Sequence, residues 1–355
     1  MHKEIYLFIY GTTGSDNFPV STGGYDRTFN GGNPVAFPKN VTNYQEGTDL
    51  YVCHFNSTGS ALLASTYVGG SGNEGANNSN DLTYNYGDYY RGEILLDNAG
   101  NVYVASTSSS KNFPVTAGCM QSNVGGGMDG IVFKMPPNLS SLTWSTYLGG
   151  TDDDACYGLN IDNSLNVFVT GGTASNNFPT VAGSFKTTYG GGQSDGFISK
   201  INSSGTTLLA STFVGTNSYD QCFLLQFDKN YDVYTVGQSL GNMPVSAGVY
   251  SNTNSKQFIW KLKNDLSATL FTTIFGNGNG QVNISPTAFL VDRCDNIYVC
   301  GWGGEEEKNA PTKNMPLTPD AYQSDTDGYN FYLFVLTADA ESLLYGSYFG
   351  GAKTA

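Results

Sequence analysis

The pentapeptide GQSLG, Gly237 to Gly241, follows an apolar run and has the Gly-x-Ser-x-Gly spacing of a serine nucleophile set on a sharp strand-to-helix turn. A helix must follow such a turn, yet Pro244 arrives three residues later, so the pentapeptide is expected to be a loop. The chain has two histidines, His2 and His54. That leaves almost nothing from which to build a His-dependent triad or a two-His metal site. The run Asp152, Asp153 and Asp154, with Asp220 in a matching place 66 residues on, offers hard oxygen ligands of the kind that hold Ca²⁺. Asp152, Asp154 and Asp220 are therefore the candidate metal ligands. No EF-hand or RTX-type nonapeptide accompanies them, and a solvated acidic loop that ties its own backbone is the simpler expectation. No catalytic residue and no cofactor beyond such a Ca²⁺ is assigned.

Six cysteines contain no CxxC pair, which removes the usual zinc and thioredoxin-like patterns. Cys156 and Cys222 share one register in neighbouring repeats; buried thiols are the default for them, and a disulfide stays open as an alternative.

The elements that position these residues are legible from composition. Charged residues make up only 13% of the 355, against 45 glycines and 14% aromatics, which suits many short strands joined by tight turns. A net charge of −14 repels phosphate backbones and anionic headgroups, so nucleic acid and membrane surfaces are poor partners. No apolar run approaches the ~20 residues that span a bilayer. The opening MHKEIYLFIYG has no small-residue cleavage site after it, and Glu4 to Tyr10 is expected to be a strand.

Four lines of pattern recur. The first is a turn and strand: DNAGNVYVAS from Asp97, DNSLNVFVTG from Asp162, DKNYDVYTVG from Asp228 and DRCDNIYVCG from Asp292. Its leading Asp can close the turn by bonding the backbone two residues on. The second is NFPV, NFPV, NFPT, NMPV and NMPL, from Asn17, Asn112, Asn177, Asn242 and Asn314, followed by an apolar residue six positions after each Pro. The third is a strand starting at Asp49, Asp129, Asp195, Lys256 and Asn330, and the fourth is a strand containing Tyr67, Tyr147, Phe213, Ile274 and Tyr348. The third and fourth lines lie 18 residues apart in all five copies.

Each unit reads as four strands, with A at 157 to 162, B at 166 to 172, C at 195 to 201 and D at 208 to 215 in the third. Five four-stranded units of about 65 residues predict an all-β fold: a β-propeller of antiparallel blades. The units lie at approximately 4–70, 88–150, 157–215, 222–276 and 287–351, and with only four A strands the ring is expected to be incomplete in this chain. The A–B and C–D turns are constant in length. The long stretches 26–46, 71–87 and 303–313 fall in the other connections and are expected to rise together from one face.

The residues just quoted resemble the SBBP family of bacterial β-propeller repeats, over nearly the whole chain. The CGWGG of Cys300 to Gly304 is also similar to stretches in surface proteins of gliding bacteria that use type IX secretion. The resemblance implies export to the outer cell surface and membership of a larger protein or assembly. It implies nothing about chemistry.

The loop face is then the candidate site, through Tyr86, Asp88, Tyr89, Asp154, Asp220, Trp302, Glu305 and Glu306. The leading expectation is a non-catalytic extracellular interaction module for a protein or a surface polysaccharide. A carbohydrate-binding propeller is the alternative. A lyase or hydrolase using Asp154 with Asp220 comes third, since it needs a carboxyl separation that sequence does not supply.

Overall fold

The computed structural model describes residues 7–37, 43–303 and 311–351. Five antiparallel sheets follow one another along the chain. The first has three strands, β1 (Leu7–Thr13), β4 (Asp49–Phe55) and β5 (Leu62–Val68), with a short hairpin β2 (Val35–Ala36) and β3 (Asn43–Tyr44) set between them. The second has β6 (Glu93–Leu96), β7 (Val102–Ser108), β8 (Asp129–Met135) and β9 (Trp144–Leu148). The third has β10 (Asp154–Ile161), β11 (Val167–Thr173), β12 (Asp195–Ile201) and β13 (Leu208–Val214). The fourth has β14 (Asp220–Phe227), β15 (Val233–Ser239), β16 (Gln257–Leu262) and β17 (Thr269–Phe275), and the fifth β18 (Ser285–Val291), β19 (Ile297–Trp302), β20 (Phe331–Leu336) and β21 (Leu343–Phe349). Each sheet keeps sequence order, so the fold is an all-β propeller of up-and-down blades. Strand A of the third blade begins three residues before the predicted Tyr157, because Asp154 pairs with Thr173 ahead of a bulge.

The turn and the bend obey the chemistry of their residues. Asp97 Oδ1 accepts the N–H of Ala99 and of Asn101, both at 2.9 Å, and Asp162 and Asp292 repeat the arrangement. The Pro motif is held from the fourth strand: the Tyr147 hydroxyl donates to Ser110 O at 2.6 Å and accepts from Phe113 N at 3.0 Å. Phe113 itself is the buried plug beneath that bend.

Lys134, Lys200 and Lys261 share the register of His54, a strand place where a charged side chain would ordinarily face solvent. Instead each ammonium lies 4.7 to 4.8 Å above a strand-B aromatic, Tyr103, Phe168 or Tyr234. Each also pairs with the turn carboxylate, Asp97, Asp162 or Asp228, at 3.1 to 3.6 Å. The ring face and the carboxylate together compensate an ammonium that is largely withdrawn from water. In the first blade His54 stacks on Phe8 at 4.0 Å.

Successive blades are joined by a repeated latch. The N–H of the residue six after each Pro donates to the next blade's C–D turn: Tyr25 to Leu139 O at 2.9 Å, Met120 to Gly205 O at 3.0 Å, Phe185 to Leu266 O at 2.8 Å and Tyr250 to Ala340 O at 2.7 Å. Every acceptor sits at positive φ, between 53° and 71°, which turns its carbonyl outward.

Replacing Tyr147 with Phe strands a buried carbonyl and a buried N–H together, at about 1–3 kcal/mol of stability. Urea unfolding of Tyr147→Phe should show that loss, and an unchanged midpoint would mean the hydroxyl does not hold the bend.

Candidate functional site

The second long stretch does not lie where its length suggested. Glu74 pairs with Ser108 as Asp154 pairs with Thr173, and Glu93 pairs with Ala105 as Gly158 pairs with Thr170. Residues 77–92 therefore replace the single bulge residue of strand A, which is Tyr157 in the third blade, Phe223 in the fourth and Thr287 in the fifth. A bulge residue is already out of the ladder, so chain can be added there without losing a strand bond. The expectation that every insertion rises from one face is corrected here: this one turns inward and fills the space between blades.

Its backbone carbonyl at Leu82 is the hub. Gln221 Nε2 donates to it at 2.8 Å, the Tyr157 hydroxyl at 3.0 Å and Asn77 Nδ2 at 3.1 Å, with the Leu82 side chain buried. Farther along, Asn85 Nδ2 donates to Gln238 Oε1 at 3.0 Å. Arg91 reaches the fifth blade, donating to Pro286 O and Ser285 Oγ, both at 3.0 Å, while its guanidinium lies 4.3 Å over the Phe223 ring. The insertion thus ties the second, third, fourth and fifth blades together as a plug.

The predicted face residues sort by what the plug does with them. Asp88 is buried: Oδ2 accepts from the N–H of Tyr84 and Asn85, and Oδ1 pairs with Arg91 at 2.7 Å. Its carboxylate organises the loop. Tyr89 packs on Phe37 of the first long stretch, 4.9 Å between centroids. Tyr86 and Trp302, 216 residues apart in sequence, meet edge to face at 6.0 Å, Tyr86 exposed and the indole N–H donating to Tyr329 O at 2.9 Å. The structure brings those two together as one aromatic rim. Glu305 and Glu306 lie outside the described residues.

Asp154 and Asp220 are not solvated loop residues, and they do not face each other. Both are buried at the head of strand A. Asp154 Oδ2 accepts from Gly150 N at 2.6 Å and Ser175 Oγ at 2.9 Å; Asp220 Oδ2 accepts from Thr216 N at 2.7 Å. Each stands near an acid from the preceding blade, Asp129 for Asp154 and Asp195 for Asp220, and Glu74 with Asp49 makes a third such pair. Gly149 lies between the Asp129 and Asp154 carboxyls so closely that an added Cβ would stand 2.6 to 2.7 Å from both. Burial pushes Asp154 and Glu74 up to about 8, against the backbone and hydroxyl donors that pull them down, and Asp49 and Asp220 up to about 6. Asp152 is exposed on the same turn, away from any grouping of three His, Cys, Asp or Glu side chains fit for a metal among the described residues.

Sequence reasoning missed Gln221 and Gln238, buried amides that receive the plug; their departure from the repeat pattern, Ala155 and Gly172 in the third blade, was the available signal. Cys156 and Cys222 are free thiols packed over Gly130 and Gly196. Each stays within its own blade junction, so the alternative of a disulfide between them is not realised.

Residues 143–179 match the SBBP family, a beta-propeller repeat. No curated protein matches the chain. Among solved structures, a protein of unknown function from Bacteroides caccae is similar at 10% identity, covering 85% of this chain and 77% of its own, with a TM-score of 0.37. BamB from Moraxella catarrhalis is similar at 10% identity over 89% and 75%, TM-score 0.36, and a NanB sialidase mutant from Streptococcus pneumoniae at 8% over 86% and 56%, TM-score 0.43.

The raised acids set a pH dependence. Glu74 and Asp154 hold protons in the fold that the unfolded chain releases near pH 4, so their stabilisation is complete below that value and is lost as pH rises through about 8. The urea midpoint should fall between pH 5 and pH 9. Asp154→Asn, which copies the Asn283 that accepts Asn277 N at 3.0 Å in the fifth blade, should flatten part of that fall. A midpoint that rises over this range would contradict the proton-holding pairs.

Proposed function

We propose that this protein is a non-catalytic interaction module, displayed outside the bacterial cell and binding a protein partner through the plugged end of its propeller. The observation that carries the reading is the Tyr86 and Trp302 pair, which the plug holds at the rim although it serves no core. An aromatic pair with a half-buried, hydrogen-bonded root and an exposed edge is the kind of anchor on which interfaces concentrate their binding energy. Supporting the non-catalytic part, Asp154 and Asp220 are both buried, and each accepts the backbone N–H of a separate interblade turn. Supporting the surface location is the resemblance of the repeats and of the CGWGG stretch to exported proteins of gliding bacteria. No helix of the described residues is long and apolar enough to cross a membrane.

A carbohydrate partner is the second reading, favoured by the same exposed Tyr86 ring, since sugar faces stack on aromatic planes. Washed cell envelopes and an array of purified polysaccharides separate the two. Under the protein reading, binding to envelopes is saturable, is lost when they are treated with protease, and weakens at least about tenfold, roughly 1.4 kcal/mol, in the Tyr86→Ala, Trp302→Ala double variant. Protease-resistant binding with array signals would move the assignment to glycan. Binding unaffected by the double variant would sink the rim as the site.

A further inference from the structure

We propose that Asn277 is the site of a spontaneous intramolecular modification, in which its side-chain amide is lost as ammonia through a cyclic imide formed with Gly278. The chain holds three Asn–Gly steps, Asn30–Gly31, Asn277–Gly278 and Asn279–Gly280. In such a step the backbone nitrogen of the glycine attacks Cγ of the asparagine, and the missing Cβ leaves the approach open. Exposure alone would pick Asn30 and Asn279, which face solvent while Asn277 is half-buried. The hydrogen bonds pick Asn277 instead.

What separates the three is the state of the attacking N–H. The Gly31 N–H is bonded to the Asp49 carboxyl, and the Gly280 N–H to Asn254 O at 2.9 Å. Among the described residues nothing accepts the Gly278 N–H. Asn277 and Asn279 otherwise match, since each side-chain oxygen accepts the N–H two residues on, from Asn279 at 3.1 Å and from Gln281 at 3.0 Å. That turn folds the side-chain carbonyl back over the intervening glycine nitrogen and polarises it toward attack. Three further bonds fix the pose. The Asn277 N–H donates to Asn283 Oδ1 at 3.0 Å, its Nδ2 to Lys313 O at 2.9 Å, and Asn254 Nδ2 holds Gly278 O at 3.1 Å. The Gly278 N–H proton passes through solvent to the departing NH₂, the new N–Cγ bond closes a five-membered imide, and NH₃ leaves. Water then opens the imide at either carbonyl, giving aspartate or isoaspartate in place of Asn277.

The product bears on the rim. A carboxylate has no N–H to give to Lys313 O, so conversion removes that tie. Lys313 adjoins Thr312, whose N–H donates to Gly328 O at 3.1 Å, and the next carbonyl, Tyr329 O, takes the Trp302 indole N–H at 2.9 Å. Each converted molecule therefore loses one support of the seat of the aromatic rim proposed above, and its chain gains one negative charge.

The test uses the whole 355-residue chain in mildly alkaline buffer, native and in urea, with conversion at each Asn–Gly step followed by peptide mass spectrometry. In urea the three steps should react at comparable rates. In the native chain Asn277 should convert at least about fivefold faster than Asn30 or Asn279, the factor that one hydrogen bond of average strength on the nucleophile supplies. Native Asn277 as slow as the other two, or Asn279 as fast as Asn277, would overturn the site. The product variant Asn277→Asp checks the reach to the rim. Acrylamide quenching of tryptophan emission should rise in it, because Trp144 and Trp260 are buried and Trp302 supplies the accessible signal. Asn279→Asp, whose side-chain oxygen still accepts the Gln281 N–H, should leave quenching at the wild-type level. Equal quenching in the two variants would overturn the link between the modified residue and Trp302.

Discussion

A blade is apolar on both sides, and the exclusion of water from those sides is what the rest of this structure depends on. The strand-B aromatics and the β-branched residues beside them are buried in every blade that has neighbours on both sides. The latch, the aromatic hydroxyls and the lysine stacks decorate this stacking and fix its register. They could not replace it, since a hydrogen bond traded against water contributes about 1 kcal/mol net while a buried aromatic contributes two or three times that. The charged groups are arranged to respect it. Lys134, Lys200 and Lys261 set their ammonium groups over the ring faces and pair each one with a turn aspartate.

Where a carboxyl must enter the junction, it gives up charge instead. The three acid pairs, Asp49 with Glu74, Asp129 with Asp154 and Asp195 with Asp220, lie where the D–A connection of one blade crosses to the next. A glycine must pass between them, as Gly149 does, and a main-chain N–H must end on the inner oxygen. The carboxyl is kept because its geometry collects several donors of a tight turn at once, and burial raises its pKa toward the protonated form, furthest at Asp154 and Glu74. Asn283 does the same work without any charge, which identifies the acceptor oxygen rather than the charge as the requirement.

The architecture was legible because period and spacing are backbone properties. The 18-residue interval between the third and fourth lines became an antiparallel pair in every blade, and the leading Asp of the turn closes it as its side-chain length dictates. Burial of the acids was not legible, since a run of three aspartates reads the same whether Gly149 folds over one of them or not. The plug was misplaced for a related reason. Counting from Tyr67 to Asp97 gives the number of added residues but not the point of insertion, and Glu74, which marks the true start of strand A, looks like any loop glutamate until it is seen opposite Ser108. Tyr86 and Trp302 were both singled out, yet their contact was invisible because it depends on that same misplaced insertion.

The choice of the bulge as the point of growth explains how one blade could acquire a long inserted element without disturbing the others. Lengthening a hairpin turn would push chain into solvent, where it must find its own core. At the bulge of strand A the side chain already points toward neighbouring blades, as Tyr157 and Phe223 do, so added residues meet apolar surface and amide partners at once. Leu82, Tyr157 and Phe223 form one cluster, and Arg91 closes it by stacking on Phe223 while bonding the fifth blade. The rim aromatics are then held by a body that four blades already stabilise. Aromatics carried on such a body inherit the rigidity of the blades beneath them, which is the condition the proposed rim would need in order to discriminate among partners.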